Sequence, residues 1–260
     1  MAIDPLAQSQ LYVRRVRRLL RRQGVLPALV DGGELGVAAR DRYFAKGREQ
    51  IANLAQQIET HTGAKLESRR ALDYGCGRGR MALPLAERCE RVYGLDVAPK
   101  MLSAADRNAK RMNISNVEWM DVGQLERLSA SYDLVISFYV FQHIPSREGE
   151  RIFATLLRGL RAGGVGAVHF TLRPSRVKAE GPDPAKSNGA LRRGPRPDAR
   201  SRFSSLNPSY LYLLMNSYSL NRLGAVLADA GVSDWHVNWH KSRSDAGEPY
   251  PSAVIIFRKD

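Results

Sequence analysis

The chain has 260 residues, 43% of them hydrophobic and 25% charged, which is the composition of an ordinary globular protein. Its two cysteines and the lack of any run of about 20 apolar residues exclude a disulfide framework and a transmembrane helix. The formal net charge of +14 favours anionic partners such as nucleic acid, acidic lipid headgroups or small anions, although the same charge also serves solubility alone.

The N-terminal segment is strongly basic. Residues 11–22, LYVRRVRRLLRR, place apolar side chains at spacings of three and four between six arginines, which predicts an amphipathic helix. We expect residues 1–40 to form a basic helical extension whose apolar stripe docks on the rest of the chain. Peripheral contact with an acidic membrane surface or a phosphate backbone is the alternative. No secretory signal is recognisable, so the expected location is the cytoplasm.

A helix is predicted next, from about residue 41 to residue 60, with Ile51, Leu54 and Ile58 on one face. From residue 70 onwards strands and helices alternate, which predicts parallel strands joined by crossover helices. The predicted strands are RRALDYG, RVYGLDV, NVEWMDV, YDLVISFYV and VGAVHFTL. The predicted helices among them are GRMALPLAERC, PKMLSAADRNAKRM and EGERIFATLLRGLRAGG, the last one stopped by its glycines.

The chain changes character after Leu172. Residues 173–208 are rich in Pro, Gly, Arg and Lys, which predicts a basic, mobile insertion. It is either a substrate lid whose cations recognise a carboxylate or phosphate, or a solvated loop. Two helical pieces and the strands SDWHVNWH and PSAVIIFRK follow. The predicted fold class is α/β, a doubly wound, mostly parallel sheet of seven strands with an antiparallel last strand.

The stretch ALDYGCGRGR, residues 71–80, places Asp73 and the glycines Gly75, Gly77 and Gly79 where the first predicted strand turns into a helix. Ligands of open parallel sheets bind at this edge, and glycine allows positive φ and a close approach of backbone to ligand. The spacing is D-x-G-x-G-x-G rather than the G-x-G-x-x-G of dinucleotide-binding turns. Because an aspartate repels a pyrophosphate, the turn favours a cationic or amine-bearing ligand over a nicotinamide dinucleotide.

In these features the sequence resembles the class I S-adenosylmethionine-dependent methyltransferases. The resemblance rests on LDYGCGRG, VYGLDVAPKML, VEWMDV, YDLVISFYVFQHIP and LRAGG before a strand, in that order over residues 70–172. It implies a Rossmann-like methyltransferase domain over residues 41–260, with S-adenosylmethionine as the cofactor and methyl transfer as the activity.

The resemblance also implies cofactor-binding residues. Asp73 is expected near the amino group of the methionine part, and Asp96 is expected to accept from both ribose hydroxyls. Asp121 is expected to accept from the adenine amino group. The other expected cofactor-site residues are Gly75, Cys76, Gly77, Val97, Met101, Val122 and Ser137. Turn capping for Asp73 and Asp96, and plain packing for Cys76, Met101 and Val122, are the alternatives.

Methyl transfer to a hydroxyl requires alignment of the reactants and removal of a proton. The stretch FYVFQHIP offers Tyr139 and His143 as candidate catalytic residues and Gln142 as a candidate acceptor contact. His143 is either a general base or a hydrogen-bonding post of the fold. Tyr43 is a second candidate acceptor contact, placed to close over the methionine end. No Cys/His cluster has metal-ligand spacing, so no metal is expected.

The acceptor is the least constrained part of the prediction. Ser137, Phe138 and Tyr139 stand where enzymes that methylate base amino groups or glutamine carry an Asn/Asp-Pro-Pro-aromatic turn. The resemblance therefore favours O-methylation of a small-molecule or saccharide-like acceptor, and the basic insertion leaves an anionic acceptor open. The alternatives are an RNA methyltransferase that uses the basic N-terminal helix and insertion, and a non-enzymatic module that keeps the pocket as a scaffold.

Overall fold

The computed structural model describes residues 36–66, 69–172, 216–243 and 249–260. The predicted basic helix at 11–22 and the predicted insertion at 173–208 lie outside the described residues. The first of the two helical pieces predicted after the insertion also falls largely outside them.

Within the described residues, helices and strands alternate as the sequence predicts. The α-helices are α1 (Val37–Thr62), α2 (Ala82–Ala86), α3 (Pro99–Arg111), α4 (Ser146–Gly159) and α5 (Leu220–Asp229). The strands are β1 (Arg70–Tyr74), β2 (Arg91–Asp96), β3 (Val117–Asp121), β4 (Tyr132–Ser137), β5 (Leu160–Thr171), β6 (Asp234–Arg243) and β7 (Pro249–Arg258). Two 3-10 helices follow β3 and β4, over Val122–Leu128 and Phe141–His143.

The strands form one seven-stranded sheet in the order β3-β2-β1-β4-β5-β7-β6. The first five strands are parallel, and β7 runs antiparallel to both of its neighbours. This is a class I methyltransferase fold, and the predicted fold class is confirmed. The order reverses direction between β1 and β4, so a crevice opens there at the carboxyl ends of the strands.

Both faces of the sheet are covered. On one face, α1 contributes Ile51, Leu54 and Ile58 to a buried apolar cluster that includes the alternate residues Leu134 and Ile136 of β4. On the other face, side chains of α4, α5 and the 3-10 turns pack on the intervening residues, with an aromatic group at the centre. Its members are Phe141, Phe153, Phe170, Tyr218 and Phe257. The unbroken apolar run in β4 therefore reflects burial on both sides.

The helix ends follow local chemistry. Helix α3 begins with Pro99 at its first position, where the missing N–H is harmless, and ends with Lys110 and Arg111 beside its last carbonyls. Helix α1 ends at Gly63, whose φ of 68° closes the last turn in the left-handed region. It begins at Val37, four residues before the predicted start.

Other predicted boundaries are wrong as well. Helix α4 ends at Gly159 rather than at the later glycines, because Leu160 is already extended and pairs with Tyr132 of β4. The first helix after the glycine turn is only Ala82–Ala86, since the residues before it form turns. Strand β4 stops at Ser137 rather than at Val140, because Tyr139 takes a left-handed φ of 62° that no strand tolerates.

Candidate active site

The turn after β1 is built on glycines with positive φ. Gly75, Gly77 and Gly79 have φ values of 79°, 56° and 86°. The N–H groups of Gly75 and Cys76 both donate to the carbonyl of Leu95, at 2.7 and 2.9 Å, and so fasten the turn to β2. A Cβ on Gly75 would lie 2.2 Å from a methyl carbon of Val140, whereas a Cβ on Gly77 would meet nothing within 4 Å. The turn is therefore closed at Gly75 and open at Gly77.

Asp96 is the last residue of β2, and its carboxylate binds the backbone of the glycine turn after β1. Its Oδ2 accepts from the N–H of Gly77 at 2.9 Å, and its Oδ1 accepts from the N–H of Ala98 at 2.8 Å. Burial raises the pKa of Asp96, while these backbone hydrogen bonds oppose the rise by stabilising the anion. The predicted turn cap is thus present, and each oxygen keeps a second lone pair for a ligand hydroxyl.

Asp73 lies at the end of β1 with only 4% of its surface exposed. Burial and the charge of Asp96 raise its pKa to about 7, against the opposing effects of the Arg80 charge and a hydrogen bond from the N–H of Ala82. Among the residues that the structure describes, no cation lies within ion-pair distance of Asp73. A buried carboxylate without a paired cation favours a positively charged ligand.

The predicted adenine-side residues gather beyond Asp96. Asp121 pairs in register with Asp96 across β2 and β3, and its Oδ1 accepts from the N–H of Gly123 at 2.9 Å, which caps the following 3-10 helix. Val122 is buried, while Val97 and Met101 are half-buried. The structure brings these four residues to the same edge of the sheet as Asp96.

Cys76 and Ser137 are buried within the framework of the site. Burial raises the pKa of the Cys76 thiol well above its ordinary value, so the side chain is a neutral packing group at physiological pH. The hydroxyl of Ser137 donates to the carbonyl of Tyr74 at 2.8 Å and holds the ends of β4 and β1 together. These side chains support the turn from within, and their contact with a cofactor remains a prediction.

The turn after β4 carries an aromatic cluster. The ring of Tyr139 lies 4.8 Å from the ring of His169 between centroids, and the guanidinium carbon of Arg80 lies 5.7 Å from the Tyr139 centroid. A left-handed φ at a tyrosine is strained, and such strain concentrates at functional sites. His169 is fully buried at the end of β5, in agreement with a packing role in this cluster.

Gln142 and His143 follow on the short 3-10 helix. Their Nε2 atoms lie 3.2 Å apart, and partial burial lowers the pKa of His143. This helix is fixed by Tyr218, whose hydroxyl lies 3.0 Å from the carbonyl oxygen of Phe141 and 2.8 Å from that of Ile144. The backbone that carries His143 is therefore fixed after the carboxyl end of β4, and the lowered pKa favours the neutral imidazole at physiological pH.

Helix α1 brings Tyr43 to the glycine turn. The pKa of Tyr43 is raised by burial and lowered by the nearby charges of Arg80 and Arg78. One helical turn further on, Gly47 packs so closely on the turn that a Cβ there would lie 2.0 Å from the carbonyl oxygen of Arg80. Neither Arg80 nor Gly47 is among the site residues predicted from the sequence. A glycine in the middle of a helix was the available signal of close packing.

A separate cavity of about 410 Å³ lies at the other end of the sheet, near the amino end of β5, and takes no part in this crevice. It is lined by His61, Thr62, Gly163, Asp234, His236, Arg258, Lys259 and Asp260.

Within the described parts of the chain, no group of His, Cys, Asp and Glu has the arrangement of a metal site. No helix in those parts is long and apolar enough to span a bilayer.

Comparison with known proteins agrees with the class that the sheet order and the acidic glycine turn define. Residues 71–164 match a protein family described as "Methyltransferase domain". Over this region the predicted resemblance to the class I methyltransferases is confirmed. The match includes β1 to β4, the glycine turn, Asp96 and His143.

Two curated relatives are O-methyltransferases by name. The ubiquinone biosynthesis O-methyltransferase of Methylocella silvestris is 35% identical over 80 residues, which cover 30% of this chain and 31% of the relative. The magnesium-protoporphyrin O-methyltransferase of Synechocystis is 33% identical over 85 residues, which cover 32% of this chain and 37% of the relative. The chain therefore matches about a third of the length of these relatives.

The crystal structure of the Synechocystis magnesium protoporphyrin IX methyltransferase with bound S-adenosylmethionine has the same fold. The TM-score is 0.58 at 18% sequence identity, and the alignment covers 100% of this chain and 99% of that one. At this identity the likeness concerns the fold alone.

Proposed function

We propose that this protein is an S-adenosylmethionine-dependent methyltransferase that methylates a hydroxyl group of a small-molecule acceptor. The observation that carries the proposal is the pair of buried carboxylates, Asp73 and Asp96, on the open side of a glycine turn within a methyltransferase domain. The predicted use of S-adenosylmethionine is supported by the Synechocystis structure named above, which contains this compound.

The chemistry of the crevice fits this cofactor. S-adenosylmethionine supplies an activated methyl group on a sulfonium. Asp73 is the residue to hold the cationic amino group, because it is buried without a cation at ion-pair distance among the described residues. Asp96 is the residue to hold the ribose hydroxyls through its remaining lone pairs, and the bare backbone at Gly77 leaves space for close approach.

The adenine ring of the cofactor is assigned to residues at and after the carboxyl ends of β2 and β3. Asp121 is assigned to the exocyclic amino group, with the apolar side chains of Val97, Met101 and Val122 beside the ring. The register of Asp96 opposite Asp121 supports this assignment, because it places ribose and adenine acceptors on neighbouring strands.

The reaction needs an aligned acceptor and a place for its proton. His143 is assigned as the general base, because burial lowers its pKa and leaves a neutral imidazole at physiological pH. Gln142 orients this ring through the 3.2 Å contact between their Nε2 atoms. Tyr139 and Tyr43 form the aromatic walls that exclude water and align the acceptor, which is worth up to roughly 7–11 kcal/mol in well-oriented reactions.

The names of the two curated relatives support a small-molecule O-methylation. An anionic or saccharide-like acceptor is supported by the basic composition of residues 173–208. Methylation of RNA is the competing outcome. The basic segments that motivate it lie outside the described residues, so the acceptor assay decides between the two.

Two measurements test the proposal. Calorimetry is expected to show that the protein binds S-adenosylmethionine and S-adenosylhomocysteine but not a nicotinamide dinucleotide. Transfer of labelled methyl groups is then measured on pools of hydroxylated metabolites, tetrapyrrole and quinone precursors, sugars and RNA. Asp96→Ala serves as the blank, and Asp229→Ala, at an exposed position at the end of α5, as the matched control. Binding of the nicotinamide compound in place of the sulfonium would refute the proposal.

A further inference from the structure

The two edges of the described sheet differ in length. Strand β3 at one edge has five residues, whereas β6 at the other edge has ten. Strand β6 pairs with β7 in unbroken register, from Asp234 opposite Arg258 to Arg243 opposite Pro249, and it contains neither proline nor glycine. Among the described residues, no strand pairs with its outer side. Shortness, bulges and prolines protect sheet edges from pairing with other chains, and β6 has none of these protections.

The middle of β6 carries an exposed tryptophan. Trp239 is 67% exposed, which makes it the most exposed large apolar side chain among the described residues. Alternate residues of a strand share a face, so Trp239 lies on the same face as Trp235 and Val237, which pack against the core. A Cβ on Gly224 of α5 would lie 3.2 Å from the Trp235 ring, so α5 covers the start of this apolar stripe. The stripe therefore ends in an uncovered indole at the open edge.

Contacts on the opposite face fasten β6 to helix α1. The Nδ2 of Asn238 donates to the Oε1 of Gln57 at 3.1 Å. The ring of His236 stacks on the ring of His61 with 4.3 Å between the centroids. These contacts hold the edge in an extended conformation, so a partner strand that pairs with it has little conformational freedom left to restrict.

The two ends of β6 carry opposite charges. Its first residue is Asp234, whose side chain is exposed, and its last three residues include Lys241 and Arg243. Antiparallel pairing with a second copy of β6 brings the acidic end of each strand to the basic end of the other. Parallel pairing would instead place like charges side by side. The charge pattern therefore favours an antiparallel arrangement of two identical strands.

We propose that β6 is the docking edge for a second copy of this chain, which pairs antiparallel with it across a two-fold axis at Asn238. Residues that face each other in such a pair lie on the same face of the sheet, so each Trp239 lies opposite Val237 of the second copy. An axis at Trp239 would place Val237 opposite Lys241, which is a poorer match. The two seven-stranded sheets join into one, independently of the proposed methyl transfer.

Sedimentation equilibrium of the full chain tests the proposal. It is run at physiological ionic strength, which screens the repulsion between two copies of net charge +14. The wild type is expected to reach twice the chain mass of 29.0 kDa as its concentration rises. Trp239→Lys is expected to weaken the dimer by at least about 30-fold, the effect of losing one interface hot spot. Val37→Lys is the matched control, because it adds the same charge at another exposed apolar side chain and should leave the dimer unchanged.

A cysteine at the two-fold axis tests the register. Facing residues of antiparallel strands have Cα atoms about 4.5 to 5.5 Å apart, within the range of about 4.4 to 6.8 Å for a disulfide. Asn238→Cys is therefore expected to form a covalent dimer on oxidation, whereas Val37→Cys is not. The native Cys76 and Cys89 are buried and do not compete. A wild type that stays monomeric at all concentrations, a dimer that Trp239→Lys leaves intact, or a dimer that Asn238→Cys does not link would each overturn the proposal.

Discussion

Burial and then the charge of Asp96 raise the pKa of Asp73, although the two carboxylates end different strands of the sheet. Strands β1 and β2 are parallel and paired in register, so both side chains reach the same edge. Each is nearly fully buried, and backbone N–H groups stabilise both carboxylates: those of Gly77, Ala98 and Val97 for Asp96, and that of Ala82 for Asp73. The ligand-free protein therefore carries an unfavourable buried charge that a cationic ligand relieves.

The first prediction concerns stability. The pKa of Asp73 rises from about 4 in the unfolded chain to about 7 in the fold, so the folded state binds a proton more tightly. The contribution of Asp73 to the free energy of unfolding therefore falls as pH rises through this window. Asp73→Asn removes the charge and is expected to stabilise the ligand-free protein by about 1–3 kcal/mol near pH 8, with no gain near pH 4. Urea unfolding of both proteins at the two pH values measures the difference, and an equal gain at both would contradict it.

The second prediction is the pH dependence of cofactor binding. An ammonium group binds only the ionised form of Asp73, so below about pH 7 a proton must leave before the cofactor enters. The affinity for S-adenosylhomocysteine is expected to fall by about tenfold for each pH unit below that point and to level off above it. Calorimetry in two buffers of different ionisation enthalpy counts the released proton directly. A flat affinity between about pH 5.5 and pH 8 would show that Asp73 is already ionised in the free protein.

The third prediction separates closure of the turn from access to it. Gly75→Ala forces a Cβ to 2.2 Å from Val140 and is expected to destabilise the fold by about 1–3 kcal/mol. Gly77→Ala meets no protein atom within 4 Å, so it should retain more stability but lose affinity for S-adenosylhomocysteine. Gly63→Ala is the matched control, because Gly63 also has a positive φ and open surroundings but lies at the end of α1. Thermal unfolding and calorimetry are run on all three, and equal affinities for Gly77→Ala and Gly63→Ala would argue against a cofactor at the turn.

The fourth prediction concerns His143. With the acceptor identified by the transfer assay, His143→Gln is expected to lower kcat by about 100- to 10,000-fold while leaving the affinity for the cofactor unchanged. Because burial lowers the pKa of His143, the acid limb of kcat at saturating cofactor should fall below pH 6.5, the ordinary value for histidine. His236→Gln, on the distant β6, is the control and should retain full activity. Retained activity in His143→Gln would assign this histidine to the fold alone.

Local patterns in the sequence predict most of the sheet. The period of apolar residues and the position of glycines are properties of short windows, and they identify the seven strands and the acids at the ends of β1 and β2. The D-x-G-x-G-x-G spacing likewise locates the open turn, because positive φ at Gly77 is a local requirement.

The features missed by the sequence analysis depend on contacts between distant residues. The approach of Gly47 to the carbonyl of Arg80 and the bonding of Tyr218 to the turn at Phe141 join segments far apart in the chain. A Cβ on Gly149 would lie 2.0 Å from the Tyr218 hydroxyl, so tertiary packing requires a glycine at this position. The early end of α4 has the same origin, since it is set by the pairing of Leu160 with Tyr132. No short window contains such information.

Helix α1 carries Tyr43 and Gly47 one turn apart. The close contact of Gly47 with the Arg80 backbone and the tyrosine near the glycine turn therefore belong to the same helix. A displacement of α1 is therefore expected to move Tyr43 and to disturb the contact with the Arg80 backbone together. To widen the entrance of the crevice for a larger acceptor, Tyr43 should therefore be replaced by a smaller residue and Gly47 should be retained, because Gly47 packs directly on the backbone of Arg80.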